Sequence, residues 1–257
     1  MSRDILAACC WPTAGYSSHN TGDIPRNTVI QERTDTDGSF LIATLLTNYL
    51  KLSGDNHVLL FATHQNKAHY ISACQKLTFN TAAAIESGTL CIVDMLAELY
   101  DDCNTSCPPS ASGARLLQLI SERVASYSKR NTMVIVDDLG FFTNLHPTGE
   151  NDVIDFAEDL LCRSYQAIQH IVVKVNVSEC FSRLCAYIGD IAQVAITLEP
   201  LASGNFREVD GRLTVSRLAG SGHDLTTLRE HHRTLLYKVC DRQIRTYAPG
   251  EPGIKNL

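Results

Sequence analysis

From about residue 28 onward, short runs of β-branched residues alternate with amphipathic stretches of helical length. Residues 28–30 read as a strand and 38–52 as a helix, with Phe40, Leu41, Thr44, Leu45 and Tyr49 near one face at helical spacing. The alternation continues with strands over 57–63, 90–93, 132–136, 168–175 and 191–198. Helices fall over 68–77, 114–127, 153–165 and 179–187, and a loop over 101–112 contains Pro108-Pro109. Near-continuous apolar strands such as Thr132-Met133-Val134-Ile135-Val136 imply burial on both faces. Strands separated by helices of this length imply a three-layer α/β fold, a mostly parallel central sheet with helices on both faces. Beyond residue 200 the period changes to two. Residues 212–218 alternate, and 236–239 and 244–247 flank the polar turn Cys240-Asp241-Arg242-Gln243, so C-terminal antiparallel strands are expected. The chain divides into a poorly ordered leader over 1–27, one domain over 28–250 and a tail over 251–257.

With 44% hydrophobic and 19% charged residues in 257, the composition is that of a folded globular domain and excludes a disordered, collagenous or coiled-coil chain. No stretch approaches the roughly 20 apolar residues of a membrane span. No basic segment followed by an apolar run opens the chain, so a soluble, cytoplasmic protein is expected, with a nuclear fraction entering only with partners. The ten cysteines sit in core-like contexts such as Leu90-Cys91-Ile92 and Leu161-Cys162 and are expected to be reduced. Cys103-x-x-x-Cys107 has metal-like spacing, but His64/His69 and His231/His232 do not clearly supply the other two ligands. Cys9-Cys10 lacks a cationic neighbour that would activate it. No metal and no cofactor are expected. Charge is uneven: residues 1–200 carry 13 Lys and Arg against 22 Asp and Glu, and residues 201–257 carry 9 against 6. That C-terminal surplus is small beside the basic stripe of a nucleic-acid-binding domain.

In an α/β sheet the first strand-to-helix loop is where a phosphate would sit, because backbone N–H groups and the helix N-terminus converge there. Here that loop is Gln31-Glu32-Arg33-Thr34-Asp35-Thr36-Asp37-Gly38-Ser39-Phe40. Against G-x-x-x-x-G-K-[ST], Gly38 takes the second glycine, but Arg33 replaces the first, Ser39 the lysine and Phe40 the hydroxyl that holds Mg²⁺. Asp35 and Asp37 add repulsion, since an anion at about 4 Å costs on the order of 1 kcal/mol in water and about 4 at an effective dielectric near 20. The other reading of this segment is a helix cap made by Asp37 or Ser39. The strand Met133-Val134-Ile135-Val136 ends in Asp137-Asp138, the form of a Walker B segment that would hold Mg²⁺ or a water, or else an acidic pair that simply begins a loop. A degenerate phosphate loop followed by an acidic strand end suggests a RecA-like fold without nucleotide chemistry. No G-x-S-x-G, H-E-x-x-H or G-x-G-x-x-G motif is present, and His223, His231 and His232 fall in a polar connection between strands.

Several segments in order resemble the family of the sixth subunit of the Elongator complex: Thr36-Asp37-Gly38-Ser39-Phe40-Leu41 with Leu50-Lys51, then Val136-Asp137-Asp138-Leu139. Next come Leu198-Glu199-Pro200-Leu201-Ala202-Ser203-Gly204 with Arg207-Glu208-Val209-Asp210-Gly211-Arg212-Leu213, and finally Tyr237-Lys238-Val239. The resemblance runs from about residue 28 to 250. It implies a RecA-like subunit that joins Elongator subunits four and five in a hetero-hexameric ring. That ring binds tRNA and serves the catalytic Elongator subcomplex, which modifies the wobble uridine; the sixth subunit itself has no catalytic residue. In rings of this fold the nucleotide pocket lies between neighbours, so Arg207, Arg212 and Arg217 are weak candidates for phosphate or tRNA contact. Their alternative is to guard an edge strand as solvated charges. Two rival functions remain open at this point: an ATPase with a divergent loop that completes its site from a neighbouring subunit, and a RecA-like adaptor outside Elongator.

Overall fold

The computed structural model describes residues 5–9, 11–12, 24–104, 112–145, 149–202, 208–217 and 231–249. After a short helix α1 (Ile5–Ala8), the order is β1 (Asn27–Glu32), α2 (Ser39–Leu52), β2 (His57–Ala62), α3 (Lys67–Lys76), α4 (Thr81–Glu86), β3 (Leu90–Asp94) and α5 (Met95–Asn104). Then come α6 (Ser112–Ser126), β4 (Thr132–Val136), α7 (Gly140–Thr143), α8 (Glu150–Cys162), β5 (Ile168–Asn176) and α9 (Ser182–Ile191), the last preceded by a 3₁₀ turn (Glu179–Phe181). The chain closes on β6 (Val194–Glu199), β7 (Gly211–Arg217), β8 (His231–Val239) and β9 (Ile244–Tyr247). The nine strands form one sheet in the order β3-β2-β4-β5-β1-β6-β7-β8-β9. The first six are parallel, and β6 to β9 pair antiparallel.

Two apolar layers sandwich the sheet. On one face Leu41, Leu45 and Tyr49 of α2 and Tyr70 and Cys74 of α3 pack on Ile30, Leu60, Ile135 and Ile196. On the other, Leu116 and Ile120 of α6, Leu160 of α8 and Leu184 and Ile188 of α9 pack on Val29, Val134, Val136 and Val173. Every residue of β4 is buried, which is why that strand shows no alternation in sequence.

Four expectations are corrected. The leader is not wholly unstructured: Ile5, Leu6, Cys9 and Trp11 are buried in the α2-side core, because Trp11 meets Tyr49 and His170 edge to face at 6.4 and 5.8 Å between ring centroids. The loop over 101–112 is narrower, since α5 runs to Asn104 and α6 begins at Ser112. His231 and His232 are not in a connection but begin β8, where His232 Nδ1 lies 2.9 Å from Ser216 Oγ on β7. Cys162 is exposed, placed just where α8 reaches solvent. No disulfide joins the described cysteines. His223, Cys10 and Cys107 lie outside the described residues, as does the side chain of Cys103.

Candidate functional site

The loop after β1 stands at the carboxyl ends of the central strands, where an open α/β sheet collects its ligands. Its helix-side amides are already occupied. Glu32, the last residue of β1 and 1% exposed, turns its carboxylate back so that Oε2 accepts the Gly38 N–H at 2.6 Å. Asp37 accepts the Ser39 N–H on Oδ1 and the Ser39 hydroxyl on Oδ2, each at 2.9 Å. Carboxylates of the chain itself therefore sit on the N–H groups that a phosphate would need. A side chain at Gly38 would crowd the turn, since its Cβ would stand 3.0 Å from Glu32 Oε2 and 3.2 Å from Ile30 and Leu198, so these neighbours would have to give by a few tenths of an ångström. The N-cap of α2 is Gly38; of the two capping candidates, Asp37 serves the first turn from one residue earlier and Ser39 is the donor it serves. Arg33 points away from the loop, its Nε 2.9 Å from Glu199 Oε1, and Phe40 rests on Tyr237 at 5.2 Å between ring centroids.

Behind the loop lies Lys174 of β5, fully buried. Period two places it on the face of His170 and Val172, under α2, and its register partner on β1 is Ile30. Its ammonium donates to Glu32 Oε1 at 2.7 Å and stands 3.5 Å from Asp137 Oδ1. Burial works against this charge, but Asp137, Glu32 and Asp138 outweigh it and hold the lysine pKa above its ordinary value. Asp137 Oδ2 accepts the N–H groups of His64 and Gln65, both at 2.9 Å. Asp138 Oδ1 accepts those of Gly140 at 2.9 Å and Asn176 at 3.3 Å. Burial raises the Asp138 pKa, against the opposing pull of Lys174. The acidic strand end thus ties down the turns after β2 and β4. Among the described residues no group of three His, Cys, Asp or Glu is arranged to hold a metal ion. The Tyr70 hydroxyl is buried beside Asp137; burial, followed by the Asp137 charge and its hydrogen bond, drives the Tyr70 pKa upward and keeps the hydroxyl protonated.

Beside the loop a groove of about 550 Å³ opens between α2, α3 and the β8–β9 hairpin. Asp35, Asp37, Asp210 and Asp241 line it against Lys76 as the one lysine among the described residues, and Asp210 is paired with Lys238, so carboxylates outnumber cations where a phosphate would enter. Period two puts Arg212 and Arg217 on opposite faces of β7, and they form no single stripe; Arg207 lies outside the described residues. Sequence reasoning missed Glu32 and Lys174. The available signal was a lysine at an inward position of the apolar run Ile168-Gln169-His170-Ile171-Val172-Val173-Lys174-Val175, which needs a buried carboxylate partner.

The sheet order, the two helical layers and a phosphate loop closed by its own carboxylates define a RecA-like α/β protein. Solved structures of that architecture superpose along nearly the whole chain. A KaiC-like protein from Pyrococcus horikoshii gives a TM-score of 0.57 at 11% identity, over 92% of this chain and 98% of the other. The flagellar accessory protein FlaH from Methanocaldococcus jannaschii gives 0.63 at 18%, over 96% of both chains. The Elongation complex protein 6 family model matches residues 17–241, and the chain belongs to that family. Elongator complex protein 6 of Drosophila melanogaster is 28% identical over 99% of this chain and 100% of its own length. Its namesake in Xenopus tropicalis is 26% identical over 84% and 87%. Among the described residues no helix is long and apolar enough to cross a membrane.

Proposed function

We propose that this chain is a non-catalytic structural subunit of the Elongator complex, acting in the cytoplasm and entering the nucleus only with its partners. It assembles with subunits four and five into a RecA-like hetero-hexameric ring that binds tRNA, and that ring supports wobble-uridine modification by the catalytic subcomplex. The observation that carries the non-catalytic part is the occupation of the Gly38 and Ser39 amides by Glu32 and Asp37, with Lys174 as the internal counter-charge. A fold that spends its phosphate contacts on its own side chains needs no nucleotide to close the crevice. Family membership supports the Elongator role.

The test is co-expression of the full chain with subunits four and five, followed by native mass measurement with and without tRNA. A particle with two copies of each chain that shifts with tRNA is the expected result; a lone monomer overturns the reading. Asp137→Asn with Asp138→Asn then separates scaffold from enzyme. Unchanged hydrolysis by the ring is expected, and its loss with assembly intact would assign a catalytic site to this chain.

A further inference from the structure

About 26 Å from the strand-end cluster, the length of β5 at roughly 3.3 Å per residue, a second cavity of about 360 Å³ opens at the amino ends of the strands. It is lined by Tyr127, Tyr165, Ser126, Ser128, Arg130 and Gln166 beside apolar residues, and among the described residues no carboxylate lines it. The loop that carries Arg130 is held rigidly. Thr132 Oγ1 donates to the Lys129 carbonyl at 2.6 Å. Asn131 adopts a left-handed φ of 54°, its carbonyl accepts the Tyr49 hydroxyl and the His57 N–H at 3.0 Å each, and its Oδ1 accepts the Gln169 amide at 2.8 Å. The Arg130 side chain is exposed and, among the described residues, takes part in none of these bonds. At the rim the Arg163 guanidinium lies over the Tyr165 ring at 5.7 Å from its centroid, and Arg26 donates to the Arg163 carbonyl at 2.5 Å. Asp159 is the rim's carboxylate, 3.5 Å from Arg163 and accepting the Tyr165 hydroxyl at 3.4 Å.

We propose that this cavity binds one nucleotide unit of an RNA strand, its base against the tyrosines and its phosphate on Arg130 and Arg163. Aromatic walls beside an unspent guanidinium and an exposed side-chain amide are the combination that single-stranded nucleic acid uses, with stacking for the base and a cation for the backbone. The C-terminal ends of α6 and α8 present carbonyl oxygens here, so an anion must be met by side chains. Cations at helix C-termini also balance the helix dipoles. Both tyrosines pack one side on the core of the α6 and α8 layer, and neither that packing nor the helix dipoles uses the exposed Arg130 guanidinium and Gln166 amide. The proposal rests on the tRNA-binding ring proposed above.

The experiment measures tRNA binding to the ring of subunits four, five and six across a salt series, for wild type, Arg130→Glu and Tyr127→Ala, with native mass confirming assembly. Arg130→Glu is expected to reduce the salt slope by about one, and Tyr127→Ala to weaken binding about fivefold or more, the low end of base stacking on an aromatic ring. A 4-thiouridine tRNA is expected to crosslink to Tyr127 or Tyr165. If the wild-type ring binds tRNA and both variants match it in affinity and slope, the proposal is overturned while the ring reading stands. If the wild-type ring binds no tRNA, the ring reading fails, and the cavity is judged on oligouridylate with the same particle, where no binding overturns it too. Uridine monophosphate competing as well as the oligonucleotide would make this a free-nucleotide site. Loss of assembly in Arg130→Glu would make it a protein contact. Either of those results also overturns the proposal.

Discussion

Lys174 carries the strand-end cluster, because it is the one cation among Glu32, Asp137 and Asp138 and none of the four is more than 8% exposed. Removing one partner of a buried ion pair leaves the other charge uncompensated, which costs about 3–5 kcal/mol. Lys174→Met is therefore expected to lower the unfolding free energy read from urea melts by that order, and Glu32→Gln, which keeps an acceptor for Gly38, by less. The sign for pH follows from the raised lysine pKa. Its contribution is complete below the unfolded value of about 10.4 and is lost as pH rises through the folded value, so the Lys174 variant loses its disadvantage only in strong alkali. Asp138 has the opposite sense. Its folded pKa is raised, so ionising it in the fold costs stability as pH rises through that value. Asp138→Asn, which keeps an acceptor for Gly140, is expected to be more stable than wild type at neutral pH, with the gain vanishing below the carboxylate range. In a nucleotide-hydrolysing enzyme the same substitution would abolish activity, so a stabilised and functionally silent variant also bears on the scaffold reading. Urea melts on the three variants, carried from below the carboxylate range into strong alkali, check all of this.

The central strands were legible because burial on both faces writes itself as an unbroken apolar run, and β4 begins and ends where the pattern puts it. The short helices α4 and α7, of 6 and 4 residues, were not, since neither spans two turns and so neither can show a period. Strand order was not legible either: β5 inserts between β4 and β1, a pairing fixed by crossover packing that leaves no local signature. The N-terminal segment was hidden for a different reason. It contributes single anchors, Ile5, Leu6 and above all Trp11, to a core assembled by other elements. Trp11 is the only tryptophan and is 2% exposed, so native emission should be blue-shifted and move to the red on unfolding. Trp11→Ala should cost about 3–5 kcal/mol, as for a large aromatic removed from a core. Trp11→Phe should cost less, because among the described residues the indole N–H has no hydrogen-bond partner to lose. Burial lowers the pKa of His170, which packs on Trp11 and Tyr49. A histidine depressed in the fold supports stability above its unfolded pKa of about 6.5 and loses it as pH falls through the folded value. Acidification should therefore redden Trp11 emission in wild type and much less in His170→Gln.

At the scale of the whole molecule the question is whether a RecA-like fold without phosphate contacts responds to nucleotide at all. A ligand at one hundred times its dissociation constant adds about 2.7 kcal/mol to the folded state. In a domain of this size each kcal/mol moves the midpoint by about 2–4 °C, so even modest Mg²⁺·ATP binding would be plain in a thermal melt. The geometry predicts no shift at millimolar concentration. The Gly38 N–H is held by Glu32, the Ser39 N–H by Asp37, and the groove outside presents Asp35 and Asp241 to any approaching phosphate. Removing the internal carboxylate should not restore binding, because no side chain of the loop replaces the missing lysine and Arg33 is directed to Glu199. Glu32→Gln should therefore melt earlier than wild type and remain indifferent to ATP. A midpoint that rises with ATP in the isolated wild-type chain would show that the crevice opens to nucleotide. A rise confined to the assembled ring would place the nucleotide on the neighbouring subunits and leave this chain as their fixed, unloaded partner.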